Sequence, residues 1–149
     1  MSEQNYRPDE RDWQIISLLR SGVISNSAIA KELGVSEGMI RQRIKRMKDQ
    51  GVLSLRGLIN PEILQDRQVV WLGISIAATR QLKEKAEEVS HLPDVLSVSI
   101  VAGRYDLIVE LLLDSHRGLV SFLTEQLASV EGIVSTESFV TLRNYSKFV

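Results

Sequence analysis

The sequence predicts a two-part α+β protein. An N-terminal helix-turn-helix domain of the winged type comes first. A C-terminal domain follows, with elements in the ferredoxin-like order β-α-β-β-α-β. Three observations carry this. The stretch from Asn26 to Met47, NSAIAKELGVSEGMIRQRIKRM, repeats apolar residues at helical spacing on both sides of Gly34. Near Val69 the period changes, and alternating strand-like runs are then separated by helical ones. Charge divides the same way. Residues 1–60 hold 10 Lys and Arg against 7 Asp and Glu, whereas residues 61–149 hold 8 against 12. The net charge of −1 therefore conceals a basic first part, suited to polyanions, and an acidic second part.

At 149 residues, 44% hydrophobic and 25% charged, the chain can bury a core as one domain or two small ones. It has no cysteine, which excludes disulfides and thiolate metal sites and fits a reducing compartment. The polar run Ser2 to Asp12 does not read as a signal peptide. The most apolar run, Leu107 to Leu113, is too short to span a bilayer and is interrupted by Glu110. The expectation is a cytoplasmic protein with no membrane partner and no cofactor.

In the first part, a helix is expected from near Asp9, whose carboxylate suits a helix N-terminus. Trp13, Ile16 and Leu19, flanked by Ile15 and Leu18, would form its core face. Ser21 to Ser25 connects it to the turn motif. The next helix spans roughly Ser27 to Leu33, Gly34 makes the turn, and Ser36 is placed to cap a second helix running to about Asp49. Ala30 allows close crossing, and Ile40 packs the second helix on the first. Val52, Leu53 and Leu55 read as a short strand leaving this unit. The expected divisions are residues 1–54 for the helix-turn-helix domain, 55–68 for a linker, 69–142 for the second domain and 143–149 for a tail.

In the second part, Val69 to Ala78 is a strand and Thr79 to His91 a helix. Thr79 is its expected cap, Leu82, Ala86 and Val89 its inner face, and Lys83, Glu84, Lys85, Glu87 and Glu88 its outer one. Val95 to Ala102 alternates, with Leu96, Val98 and Ile100 on one side. Gly103-Arg104 is a tight connection, so Tyr105 to Leu113 should pair antiparallel with the strand before it. Asp114-Ser115 opens a helix carrying Leu119, Phe122, Leu123 and Leu127, and Ile133 to Leu142 is a last strand. Two helices would cover one sheet face. The other, expected to carry Trp71, Val101 and Val109, needs a partner, most simply a second copy of the chain.

Function is legible on the second helix of the turn motif. With Ile40, Ile44 and Met47 inward, Gly38, Arg41, Gln42, Lys45 and Arg46 point outward. Lys and Arg suit phosphates, and Arg and Gln also make paired hydrogen bonds to base edges in the major groove. A basic, solvated helix face is the plain alternative, but the turn spacing ahead of it favours double-stranded DNA. Gln42, Arg41 and Gly38 are then nearest the bases, with Lys45, Arg46 and Ser36 toward phosphates.

The segments ELGVSEGMIRQRIKRMKDQGVL, Gly103-Arg104-Tyr105-Asp106-Leu107 and Gly132 to Val140, in this order, resemble the leucine-responsive/asparagine-responsive, or feast/famine, family of transcriptional regulators. The resemblance covers about Asp9 to Leu142. It implies a DNA-binding regulator that dimerises through the C-terminal sheet, assembles further, often to octamers, and binds an amino-acid effector between neighbouring subunits. The implied effector residues are Gly103, Tyr105, Asp106, Thr136 and Ser138. Asp106 could hold an ammonium, and the hydroxyls and glycine-turn amides a carboxylate. The alternative is that Gly103 and Asp106 serve only the hairpin. The chain departs from the family in the first interhelical loop, Ser21 to Ile24, which lacks an Arg, and in Arg104 beside the effector turn.

Two rivals remain. Some proteins of this architecture resemble decarboxylases acting on modified tetrapyrroles and use His and Arg. Here His91 and His116 lie near expected helix ends, and the sequence shows no catalytic triad, metal-ligand spacing or phosphate loop. The chain therefore reads as a non-enzyme. The other rival is an effector-sensing assembly module without DNA binding.

Overall fold

The computed structural model describes residues 6–23, 25–114 and 117–149. The chain divides into two compact units, one ending at Gly57 and one running from Leu58 to Val149. Three helix ends of the first unit rest on clear local signals. Helix α1 (Glu10–Arg20) opens with a reciprocal box: the Asp9 carboxylate accepts from the Asp12 amide at 2.9 Å, and the Asp12 carboxylate accepts from the Asp9 amide at 3.1 Å. Helix α2 (Asn26–Leu33) closes on Gly34, whose φ of 65° is cheap only for glycine. Helix α3 (Glu37–Asp49) starts under Ser36, whose hydroxyl accepts from the Met39 amide. Ile15, Ile29, Ala30, Ile40, Ile44 and Met47 form the core of this unit.

Two expectations fail here. Trp13 is not core: it is 58% exposed, while Asp12 and Ile15 are fully buried. At about 100° per residue, Trp13 lies some 200° from Ile15. The inner line is Asp12, Ile15, Leu19, and it tolerates a carboxylate because partners reach it. Residues 51–60 form no strand. Leu53 packs on the core, but no described segment of the unit pairs with this backbone, and a lone strand has no ladder to hold it. Ile24 lies outside the described residues.

The second unit is a four-stranded antiparallel sheet in the order β2-β3-β1-β4, built from β1 (Arg67–Ile76), β2 (Val95–Ile100), β3 (Leu107–Asp114) and β4 (Ile133–Val140). Helix α4 (Leu82–Ser90) and a helical run from residue 118 to 129 cover one face. Val70, Leu72, Ile74, Leu107, Val109, Leu111 and Leu113 pack there against Val89, Phe122, Leu127 and Val130. The run starts as α5 (Gly118–Ser121), widens into a π turn (Phe122–Gln126) and tightens to a 3₁₀ turn (Leu127–Ser129). Ser115 and His116, where this helix was expected to begin, lie outside the described residues.

Five details of this unit depart from the expected pattern. Thr79 does not cap α4: it sits in a 3₁₀ turn (Thr79–Gln81), and Gln81 precedes the helix without a side-chain cap. Lys85 is buried rather than outward, because it shares a helix face with Val89 four residues on, and its ammonium reaches Glu88 at 2.7 Å. A register shift between Val95 and Ser97 makes Leu96 an extra residue, so Val95 and Val98 face the core and Leu96 is exposed. Val109 is core, not open-face; Ile108, Glu110 and Leu112 take the open face beside Trp71. Tyr105 precedes β3, which starts at Leu107, because Asp106 turns onto β1 instead.

The stretches expected as linker and tail are largely bound into the second unit. Asn60 caps the turn Pro61–Ile63. Ile59 and Val149 exchange backbone hydrogen bonds at 2.9 and 3.0 Å. Asn144 donates twice to the Glu62 carboxylate, which holds that carboxyl below its ordinary pKa. Lys147 pairs with Glu110 and lies 5.2 Å over the Trp71 ring.

Candidate DNA-binding and effector sites

Helix α3 presents its reading face as one continuous strip. Ile40, Ile44 and Met47 are buried beneath it, and Gly38, Arg41, Gln42 and Lys45 are exposed above. An added Cβ at Gly38 would meet nothing within 4 Å, so the backbone at the start of the strip lies open. Among the described residues, Arg41 and Lys45 are held by exposed intrahelical pairs, to Glu37 and Asp49, each at 2.7 Å. Such exposed pairs are screened by solvent and contribute little. A phosphate competes with them readily. Asp49 also raises the Lys45 pKa, so that ammonium is fully charged at neutral pH. Ser36 spends its hydroxyl on the Met39 amide.

Arg46 differs from its neighbours and from its expected free, outward position. One nitrogen, Nη2, donates to the Tyr6 hydroxyl at 2.9 Å and to Asp12 at 3.3 Å, and the guanidinium lies 4.8 Å over the Tyr6 ring. Its side chain is half exposed. Arg43, which the outward-face argument passed over, donates to Asp9 at 2.7 Å and Asp12 at 2.9 Å. Burial pushes the Asp12 carboxyl up, but hydrogen bonds from Tyr6, Arg43 and the Asp9 amide outweigh it, and the net direction is down. Arg43 likewise holds Asp9 low and is itself raised by the two carboxylates. Asp9 and Asp12, and Arg43 and Arg46, are each three apart, so each pair lies on one side of its helix and can face the other once the helices meet.

In the second unit the expected effector residues separate. Tyr105 lies on the open face of the sheet, against Gly73: a Cβ there would come within 2.6–2.8 Å of its ring. Phe139 meets the ring edge-on at 6.3 Å between centroids, and Arg104 lies 5.5 Å over it while reaching Glu137 at 3.5 Å. The Tyr105 hydroxyl is buried with no hydrogen-bond partner among the described residues. Asp106 is partly spent on structure, one oxygen accepting from the Ile76 amide at 2.8 Å. Gly103 is exposed at the hairpin. Thr136 and Ser138 pair with Ile74 and Leu72, whose side chains face the helices, so both sit on the opposite side of the sheet from Tyr105. One chain does not bring the five together.

His91 contacts the Glu87 carbonyl through Nδ1 at 2.7 Å, a helix-end contact, and His116 lies outside the described residues. Among the described residues no three His, Cys, Asp or Glu are grouped to hold a metal ion, and no helix is long and apolar enough to cross a membrane.

Comparison with known proteins agrees with both halves. Residues 8–54 match the winged helix-turn-helix DNA-binding family, and residues 69–148 match the Lrp/AsnC ligand-binding domain. An HTH-type transcriptional regulator of Pyrococcus furiosus is 33% identical over 134 residues, covering 89% of this chain and 90% of its own. Among solved structures, AldR of Mycobacterium tuberculosis aligns over 93% of this chain and 96% of its own, with a TM-score of 0.77 at 21% identity. The feast or famine regulatory protein of M. tuberculosis, solved with L-methionine, aligns over 93% and 95% with a TM-score of 0.70 at 22% identity. A basic reading helix on a three-helix unit, a four-stranded sheet covered on one face, and these matches in the same order lead to one conclusion: the chain belongs to the Lrp/AsnC family of DNA-binding transcriptional regulators.

Proposed function

We propose that this regulator reads DNA by inserting α3 into the major groove, with Gly38, Arg41 and Gln42 at base edges and Ser36, Lys45 and Arg46 toward phosphates. The observation that carries the reading is the strip itself: exposed Arg41, Gln42 and Lys45 above a buried Ile40, Ile44, Met47 line. The acting species is a homo-oligomer, a dimer joined through the open sheet face and then larger. Trp71 and Phe139 support this, at 37% and 45% exposed on a face no helix covers. Two-fold symmetry would place two reading helices on half-sites about 34–36 Å apart.

The effector is an amino acid. The solved M. tuberculosis relative holds one, and the separation of Tyr105 from Thr136 and Ser138 fits a site completed by a neighbouring copy. Gly103, Tyr105 and the free oxygen of Asp106 would come from one chain, and Thr136 and Ser138 from another. The effector acts only by binding one assembly or DNA-competent state better than another. The protein works in the cytoplasm as a regulator and not as an enzyme.

The test is binding of the purified protein to the DNA upstream of its own coding region, against scrambled competitor, across a salt series, with and without the twenty amino acids. Specific, salt-sensitive binding that shifts with the pool is expected, and splitting the pool names the effector. Specific binding indifferent to the pool would remove the amino-acid sensor. Binding no tighter than to scrambled DNA would count against this operator.

A further inference from the structure

We infer that Tyr6 is a positioning residue for DNA binding: with Asp12 it holds Arg46 as a preset phosphate-contacting group at the edge of the reading face. This rests on the DNA-binding reading of α3 and adds a residue that precedes α1 and lies 40 positions before its target.

The Arg46 guanidinium is held in two ways at once. Its ring-facing side stacks over Tyr6, and Nη2 is divided between the Tyr6 hydroxyl and Asp12. The Tyr6 hydroxyl donates in turn to the same Asp12 oxygen. Among the described residues nothing accepts from Nη1 or Nε, and the side chain is 49% exposed. The guanidinium is therefore fixed in plane and position with part of its donor fork unspent. Arg43 is the contrast: both its bonds go to carboxylates at the start of α1, half-exposed Asp9 and buried Asp12, and only a quarter of it is exposed. Arg43 ties α3 to α1, whereas Arg46 is anchored and still presented.

The location suits the role. Gln42, Arg43 and Arg46, with Met39, line one shallow recess of about 200 Å³, so Arg46 adjoins the Gln42 end of the reading strip. A long side chain that is already ordered loses less freedom when it meets a phosphate, and so binds it more tightly than a free one. Among the described residues, Arg41 and Lys45 have no such anchor outside their own helix.

The phosphate contact is sequence-independent, so a mixed-sequence 30-base-pair duplex is a sufficient probe. The full-length protein, Tyr6→Phe, Arg46→Ala and the double variant are titrated with it across a salt series. Tyr6→Phe keeps the ring and removes only the hydroxyl. The expected result is that Tyr6→Phe weakens binding about threefold to tenfold with an unchanged salt slope, since the charge remains. Arg46→Ala should weaken binding and reduce the slope by about 0.9. Adding Tyr6→Phe to Arg46→Ala should change nothing further. If Tyr6 only stabilised the fold, its loss would cost the same in both backgrounds, and that result, or an unchanged affinity in Tyr6→Phe, overturns the inference. Absence of salt-sensitive binding by the unaltered protein would overturn the DNA-binding reading and the inference with it.

Discussion

The two units solve recognition in opposite ways. In the first, the proposed reading face is one side of α3 with its Ser36 cap, so its residues come from consecutive turns of a single chain. In the second, the candidate effector residues come from a hairpin and an edge strand, on both faces of the sheet, and a single chain leaves them apart. The cores differ in parallel. Among the described residues, the helical unit closes on six buried apolar residues and a fully buried carboxylate shared by two arginines, whereas the sheet unit closes on an eleven-residue apolar cluster, with its buried charges, Lys85 and Glu110, still slightly exposed at its margins. A small unit that must keep a charged surface recruits that charge into its own framework. A larger one can leave its open face to be completed by another molecule.

The sharpest way to break this comparison is to damage each core in turn. Phe122→Ala should cost about 3–5 kcal/mol and Ile40→Ala about 2–5 kcal/mol. Each should lower one calorimetric transition and spare the other; equal shifts in both would mean that the units unfold together. Next in size, Arg41→Glu with Lys45→Glu should weaken DNA binding at least about 100-fold and reduce the salt slope by roughly 0.9 for each phosphate no longer neutralised, while the oligomer is retained in sedimentation. Unchanged DNA affinity would return the chain to the assembly-module reading. Gly73→Val places carbon where the Tyr105 ring lies and should destabilise the sheet unit by about 1–3 kcal/mol. A higher or unmoved transition there would show that the ring is free to leave.

The acid response sharpens the comparison further. The Asp12 and Asp9 carboxyls sit below their ordinary value of 3.8 in the folded unit, so they bind protons more weakly there than when unfolded. Their contribution is fully present above that value and is lost as pH falls through it toward the folded pKa. Acid unfolding followed by circular dichroism should therefore find the helical unit weakening below about pH 4, and Asp12→Asn should flatten that dependence. An identical acid profile in Asp12→Asn would remove the carboxylate from the account. The smallest effect belongs to Lys147→Ala, about 0.5–1 kcal/mol in the sheet unit by chemical denaturation, because its ion pair is partly solvated.

What could be read from the chain follows the same division. The Gly34 turn, the Ser36 cap and the buried stripe of α3 are all local patterns, and each stands where the sequence places it. The Asp12 cluster was hidden because a charged residue reads as surface until Arg43, 31 positions away, is known to reach it. Trp13 is the converse, a large apolar residue left outside by its neighbours' angles. In the sheet, the extra residue at Leu96 shifts one half of β2 relative to the other, and alternation alone carries no mark of it. The faces taken by Thr136 and Ser138 depend on pairing with β1, more than sixty positions earlier, which composition and spacing do not encode.

The π turn at Phe122–Gln126 has a consequence for how such chains diverge in length. A wider turn holds one more residue than an α-helical turn between the same two packing points, here Phe122 and Leu127. Deleting a single residue inside it would leave an ordinary helix with both anchors still inward, and nothing after Leu127 would need to rotate. The same deletion one turn earlier would swing Phe122 by about 100° off the sheet. Within this helical run, the π turn is thus where loss of one residue disturbs the packing least.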